Sequence, residues 1–596
     1  MKHILIKSIV IIFTVSAIVS CADSDFLQES NPNVLGVDTY WRDLSDTQTG
    51  LNATYKTLHN PAVLNVIAEI LRSDMGYPGY GRPVPQNTED FYLHLYNAST
   101  SEILEKWQTN YQGIFRANQV IQALENLEGT VDETEWTSQM AQARFFRGLF
   151  HYYLYTTYNS GSIIIRKEVP EVQDSEVPTE EFYLPLSPAE DVIKFVREDL
   201  EYAYQNLYKK GEYPSGDASR VTSGAAATIL GTSYLQELDY EKAMPYFDDV
   251  INNHGYELEY DLDKMFTTAG EFNKESIFEI NFTSDFIEID LNRWNGDTGT
   301  NWLNQQTSNT RGAVGPAWIA YAYKSEPMDP LDLRNYYQDA NNDDALTLRD
   351  VPLRASSMIA LVDDNQTTYY LTGTASEYPR FHGLAWGYAW WKKYTNDDIV
   401  AAENQLPSGA ATLSSKNVTL NRLPEVMLMQ AECKIKTGDV DEALNLINDI
   451  RKRWGLVLLG LSGSDVAHTY DEEVYNEESL MQHLMRVEKP LEMSVEGHLI
   501  RFLDFQRWKK SDNYGFKERL EELANEEYYG VNFTYVNSEG ATKIRNNFPS
   551  IEGEKPSGSF TTVDYEYDIP FLNYTESVHG TYPIPFDEVN ANPNIN

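Results

Sequence analysis

The sequence predicts an all-α protein in which helical hairpins form the scaffold and one large loop-rich insertion carries a few short strands. Three observations predict it. The stretch NRLPEVMLMQAECKIKTGDVDEALNLINDIRKRWG, Asn421 to Gly455, reads as two amphipathic helices joined by a short turn. The same pattern stands 200 residues earlier, in AAATILGTSYLQELDYEKAMPYFDDVINNHG from Ala225 to Gly255. Between the two, helical periodicity is lost and Gly, Asn, Asp and aromatic residues dominate.

In the later hairpin, Val440, Ala443, Leu444, Ile447, Ile450 and Trp454 recur at three- and four-residue steps and line one helix face. Asp439 and Glu442 form a capping-box-like start, Arg451, Lys452 and Arg453 suit the negative end of the helix dipole, and Gly455 ends the helix. The preceding helix places Leu423, Met427 and Ala431 four apart, with Pro424 in its first turn and Gly438 at its close. A turn this short makes the helices antiparallel. Shifted by 200, Ala431 aligns with Gly231, Asp439 with Asp239, Ala443 with Ala243, Ile447 with Phe247 and Ile450 with Val250. Small residues at the crossing and bulky ones facing the next unit are the tetratricopeptide pattern, so the scaffold is read as tetratricopeptide-type hairpins.

From the N-terminus, Lys2 and Lys7 precede an apolar run from Ile9 to Val19, too short for a membrane span and suited to a signal peptide over residues 1–20. Ser20-Cys21 after Ile18-Val19 resembles a lipoprotein processing site, which makes Cys21 the lipidated first residue of the mature chain. Residues 21–45 then form a lipidated N-terminus and polar spacer. Residues 46–255 are read as an N-terminal helical scaffold, with helices over Asp46–Leu58, Ala62–Arg72, Glu102–Leu127 and Thr137–Tyr158. Ile163 to Ile165 reads as a short strand, and Ser187-Pro188-Ala189-Glu190 as a capping box opening a helix to Tyr208. Residues 256–416 are the insertion, with strand-like runs at Ser276–Phe282 and Thr367–Leu371, and 417–596 hold further helical repeats, at Glu478–Glu488 and Glu496–Lys509, before a tail read as irregular from Val531.

Composition narrows the function. Hydrophobic residues make up 42% of the 596 positions and aromatics 13%, enough for a large core with rings left over for the surface. Lys+Arg number 47 against Asp+Glu 90, a net charge of −43, which excludes a nucleic-acid or anionic-lipid surface as the partner. Only two cysteines occur; with Cys21 lipidated, Cys433 stands alone on a helix as a small buried hydrophobe. Neither a disulfide framework, a zinc motif, a Gly-rich phosphate loop nor a nucleophile elbow is present, so no cofactor is assigned.

The candidates for ligand contact are aromatic. Trp294, Trp302, Trp318, Tyr321, Trp386 and Trp390 crowd the insertion, and a flat ring suits the apolar face of a pyranose. The loop from Gly76 to Tyr92, fixed by Gly and Pro, adds Tyr77, Tyr80 and Arg82. Asp339, Asn341, Asp343 and Asp350 have EF-hand-like spacing and are candidate calcium ligands, yet Asp344 replaces the required Gly, and a solvated acidic loop is the simpler reading. With 90 acidic residues no pair is singled out for glycoside hydrolysis, so an enzyme reading has no residue to name.

RLPEVMLMQAECKIKTGDVDEALNLINDIRKRWG, SRVTSGAAATILGTSYL, ARFFRGLFHYYLYTTYNS and the closing Tyr582-Pro-Ile-Pro585, Glu588 and Asn592-Pro593 resemble the shared motifs of the SusD/RagB family, the outer-membrane nutrient-binding lipoproteins of Bacteroidota. Two departures occur: Glu496-Gly497-His498 is followed by two extra residues before Arg501-Phe502-Leu503-Asp504, and Asn159-Ser160 stands where a Gly is usual. The resemblance implies a SusD-like scaffold, no enzymatic activity, and an oligosaccharide ligand at the cell surface. It also implies a partner, a SusC-like TonB-dependent transporter of the outer membrane, with membrane contact through the lipid at Cys21 alone. A RagB-like peptide receptor on the same scaffold is the alternative, followed by a surface glycosidase and a purely structural subunit. No aromatic position of the insertion matches a shared motif, so no binding residue is carried over.

Overall fold

The structure, a computed structural model, describes residues 40–79, 81–82, 89–170, 180–283, 301, 303–307, 312–338, 346–378, 383–402 and 414–595. The signal peptide and Cys21 lie outside these residues. Helices α1 (Leu44–Lys56), α2 (Val66–Arg72), α3 (Ser101–Leu127), α4 (Glu133–Thr157) and α5 (Ala189–Asn206) open the scaffold. The Asp43 carboxylate accepts from the Ser45 and Asp46 amides to start α1, and Asp132 accepts from Glu135 N to start α4. Two local expectations fail here. No side-chain cap opens α5: its N-cap position falls on Pro188, and Ser187 N donates instead to Ile163 O at 2.8 Å. The Ile163–Ile165 run is extended but joins no ladder, because the Tyr111 hydroxyl donates to Ile164 O and accepts from Ile164 N, satisfying the backbone that a strand partner would take.

The two hairpins stand as the sequence places them. Helices α6 (Ser223–Gln236) and α7 (Tyr240–Asn253) form the first; α8 (Ala317–Lys324) lies in the insertion; α9 (Leu423–Lys436) and α10 (Val440–Arg453) form the second. All four hairpin helices have 14 residues, and corresponding helices begin at 223 and 423 and at 240 and 440. Volumes compensate across the repeat. A Cβ on Gly231 would sit 2.5 Å from the Phe247 ring, so glycine faces phenylalanine in the first hairpin, where Ala431 and the smaller Ile447 stand in the second. The Asp239 carboxylate caps α7 through Lys242 N, whereas Asp439 makes no such bond to α10, contrary to the capping box expected there. α7 packs directly on α9, with Gln430 Nε2 donating to Asp248 Oδ1 at 2.6 Å, so the solenoid continues as if the insertion were absent.

The insertion leaves and rejoins at a neck, where strand β1 (Ser276–Ile280) pairs antiparallel with β2 (Val418–Arg422). Beneath it, five cations and five carboxylates meet with side chains at most 3% exposed: Arg354, Lys393, Arg422, Arg451 and Arg453 with Glu275, Glu326, Glu488, Glu492 and Glu496. This cluster ties insertion, neck, second hairpin and the following helices together.

Helix α11 (Glu477–His483) runs into a π-helical turn, Leu484–Glu488, then come α12 (Phe502–Ser511) and α13 (Phe516–Ala524). α12 starts six residues later than the expected Glu496, since Gly497, Leu499 and Arg501 take positive φ and cannot join a right-handed helix. The tail is not irregular. Strands β3 (Tyr528–Val536), β4 (Thr542–Glu552) and β5 (Phe560–Val563) form an antiparallel sheet in the order β4-β3-β5. Much of β4 is exposed, so the apolar alternation that reveals a half-buried strand is missing. Cys433 is fully buried, as expected, and burial pushes its thiol far above the usual range.

A candidate ligand-binding cleft

An open cleft of about 600 Å³ lies between α8, the turn after α10, the π-helical turn and α13. Trp318 and Tyr321, three apart on α8, both line it. Trp318 is a post under the floor: it is 4% exposed, its Nε1 donates to Asp74 O at 2.6 Å, and the Arg519 guanidinium lies 4.3 Å over its ring. Tyr321 is half-buried, its ring centroid 5.7 Å from that of Tyr528 at 51°. It crosses the backbone at Gly553, where a Cβ would stand 2.4 Å from the ring. Tyr475, on the opposite wall, donates its hydroxyl to Asp471 at 2.7 Å, which fixes its ring.

The guanidiniums in the walls are paired. Arg519 bonds Asp74 at 3.0 Å, and Asp74 also takes Arg501 at 3.1 Å. Burial opposes ionisation of Asp74, but the two guanidiniums outweigh it and hold the carboxyl below its usual range. Glu522 is likewise held down against burial by the Tyr514 hydroxyl and by Arg486, whose Nε and Nη2 both reach one carboxylate oxygen. Burial, and then the Asp471 carboxylate, push the Tyr475 hydroxyl far above its usual range, so it stays a protonated donor. The cleft thus offers half-buried aromatic faces beside fixed acceptors and donors, the composition that holds a polar ligand with apolar faces.

The remaining candidates divide sharply. Arg82 is sandwiched between the rings of Tyr77 at 3.9 Å and Tyr388 at 4.5 Å and ion-pairs with Glu566. The other Glu566 oxygen accepts from Ala317 N at 2.7 Å, so the loop that carries Arg82 anchors the first turn of α8, where a carboxylate also meets the positive end of the helix. Tyr77 is 1% exposed and pairs in a short strand with Val314, so it presents no ring face to a ligand. Trp390 corrects the sequence reading outright: it is fully buried in the strand pair Ile359–Leu361 with Ala389–Trp391, because both faces of that pair are covered. Tyr80, Trp294 and Trp302 lie outside the described residues, as does the side chain of Trp386, whose backbone ends the short helix Gly383–Trp386.

Of the calcium candidates, Asp339, Asn341 and Asp343 lie outside the described residues, and Asp350 accepts from Gln366 Nε2 at 2.7 Å. The acidic stretch joins two paired strands, Tyr336–Gln338 and Leu346–Leu348, rather than the two helices an EF-hand needs. Among the described residues no group of three or more His, Cys, Asp or Glu side chains could hold a metal ion. Nor, among them, is any helix long and apolar enough to cross a membrane. Sequence reasoning missed Tyr475, Arg486, Arg519, Glu522 and Tyr528. The Glu526-Glu527-Tyr528-Tyr529 run, acids beside rings, was the one signal available.

Comparison with known proteins agrees with this architecture. The model of the SusD family matches residues 274–596, and that of a family described as "Starch-binding associating with outer membrane" matches residues 25–235. A SusD-like protein of Bacteroides ovatus is 30% identical over 205 residues, 32% of this chain but only 35% of that protein. SusD-like protein P25 of Formosa agariphila is 21% identical, over 75% of this chain and 81% of its own. Among solved structures, a SusD superfamily protein of Bacteroides vulgatus has a TM-score of 0.64 at 20% identity, covering 94% of this chain and 99% of that one. A laminarin-binding SusD-like protein has a TM-score of 0.58 at 17% identity over 92% and 98% of the two chains. A structure with a xylogluco-oligosaccharide has 0.60 at 19%, also over 92% and 98%. The helical scaffold with its loop insertion is therefore that of SusD-like structures. With its model matching more than half of the residues, the chain belongs to the SusD family.

Proposed function

We propose that this protein captures oligosaccharide at the cell surface, without cleaving it, and passes it to a TonB-dependent transporter of the outer membrane. The observation that carries the reading is the 600 Å³ cleft with Tyr321, Tyr475 and Tyr528 in its walls, in a chain of this family. Laminarin and a xylogluco-oligosaccharide, named for two structural neighbours, supply the ligand class. Cys21, lipidated after removal of residues 1–20, tethers the protein to the outer membrane beside that partner. Rings worth about 1 kcal/mol each beyond burial give a single site of roughly micromolar to millimolar affinity, so retention of polymer relies on repeated engagement.

The test is gel retardation of the mature chain by laminarin, xyloglucan, starch, mannan and xylan, with Tyr321→Ala and Tyr528→Ala alongside. Retardation by one polymer that both variants weaken supports the reading. Saturable peptide binding with no glycan bound would move the protein to the peptide-receptor branch, and sugar release from any polymer would make it a glycosidase. The transporter step is tested separately, by co-purification of the chain with a TonB-dependent transporter expressed beside it.

A further inference from the structure

A second groove, of about 360 Å³, runs along α3 and shares no lining residue with the cleft. Its base is Trp107, Ile114 and Ile164, all buried. Phe115, 43% exposed on α3, and Phe182, 37% exposed on the short turn Glu180–Phe182, both line it. Single exposed rings are ordinary, but two that line one groove make a contiguous apolar patch, the kind that marks a binding surface.

The walls are held rigidly. Tyr111 locks both backbone groups of Ile164, and Asn118 Nδ2 donates to Arg166 O at 3.1 Å. The Arg166 guanidinium donates to Glu181 O and Phe182 O at 3.3 and 3.0 Å, which sets the position of the Phe182 turn. Trp107 Nε1 reaches Glu588 from the C-terminal helix Phe586–Ala591. Gln108 and Gln112, one turn apart on the exposed edge of α3, make no hydrogen bond among the described residues. Each offers an amide donor pair and a carbonyl acceptor at the mouth of a groove whose sides are aromatic.

We infer that this groove is a second saccharide-binding site, for a stretch of neutral glycan chain. Ring faces take the apolar side of the sugars, and the uncharged amides exchange hydrogen bonds with hydroxyls. A volume above about 300 Å³ lies within the range of small-molecule sites. The inference rests on the glycan reading above and extends it: two weak sites on one rigid body hold a long chain far more tightly than either alone.

The test uses the full mature chain with laminarin, xyloglucan and starch, and with short oligosaccharides cut from each, by titration calorimetry and gel retardation. The wild-type protein takes two short chains per molecule. Phe115→Ala/Phe182→Ala takes one and loses about ten-fold or more in polymer affinity. Gln108→Ala/Gln112→Ala, changed only at exposed amides that leave the core intact, weakens polymer retention in the same direction. Tyr321→Ala weakens the other site and leaves the groove filled. A single site in the wild type, or polymer affinity unchanged in both groove variants while Tyr321→Ala weakens it, overturns the groove and leaves the cleft standing. Absence of any glycan binding by the wild type overturns both.

Discussion

Replacing Glu492 with glutamine tests the buried charge cluster that ties the insertion to the scaffold. Its carboxylate is fully buried and accepts from Arg422 Nη1 at 2.6 Å, Trp454 Nε1 at 2.7 Å and Arg354 Nη1 at 3.4 Å, and also from Arg453. Burial alone would raise its pKa, yet Arg453, Arg422 and Arg354 together hold it far below the usual carboxylate range. Glutamine keeps the shape and the bond from Trp454 but removes one of five balancing negative charges. Left with a surplus buried cation, the folded state should lose about 3–5 kcal/mol. Asp441→Asn, on the exposed first turn of α10, is the control and should change stability by less than about 0.5 kcal/mol. Urea unfolding of the three proteins, followed by tryptophan fluorescence and circular dichroism, reads the difference. A Glu492→Gln variant within about 1 kcal/mol of wild type would refute the argument, and would mean that water or local rearrangement screens the cluster.

Other outcomes follow from the same geometry. Tyr321→Ala should weaken glycan binding about five- to ten-fold, the worth of one ring, with the thermal melt unchanged. Trp390→Ala should instead destabilise the fold by about 3–5 kcal/mol, and a native melt combined with lost binding would return Trp390 to the ligand site. Gly553→Ala places a methyl 2.4 Å from the Tyr321 ring and should weaken binding by displacing that ring; wild-type affinity would show that the ring yields freely. His151 is fully buried, with Nδ1 2.8 Å from Arg147 O and Nε2 accepting from Arg166 N, a pattern only the neutral ring satisfies. Burial lowers its pKa from 6.5 to about 4, so the unfolded chain binds the extra proton. Stability is then complete above pH 6.5 and falls as pH drops toward 4, by roughly 3 kcal/mol from this residue. His151→Gln should flatten that acid limb of a stability–pH curve, and an unaltered slope would refute the assignment.

The two hairpins could be located to within about two residues from sequence because their information is local. Spacing of Ala443, Ile447 and Ile450, a turn at Gly438, and the same frame 200 positions earlier define helices without reference to anything distant. The family motifs lie in these same segments. Local signals failed where long-range contacts substitute for local ones. Ile163–Ile165 has strand-like residues, but a tyrosine hydroxyl on α3 takes its hydrogen bonds. The tail forms a sheet because β3 finds partners on both sides, although one of them, β4, lacks apolar alternation.

The site shows the same division more strongly. Tyr321 and Trp318 were legible as candidates because rings crowd the insertion, yet nothing in the sequence separates Tyr321, with a face in the cleft, from Trp318, a post beneath it, or from Trp390, sealed in the core. Tyr475, Arg486, Arg519 and Tyr528 come from segments 154 to 207 residues beyond Tyr321 and carry no motif. The sequence by itself determined the repeated helical scaffold and the family, since these follow from periodicity and shared motifs. Tertiary structure alone decided which rings have an open face, because exposure of a side chain is set by what distant segments pack against it.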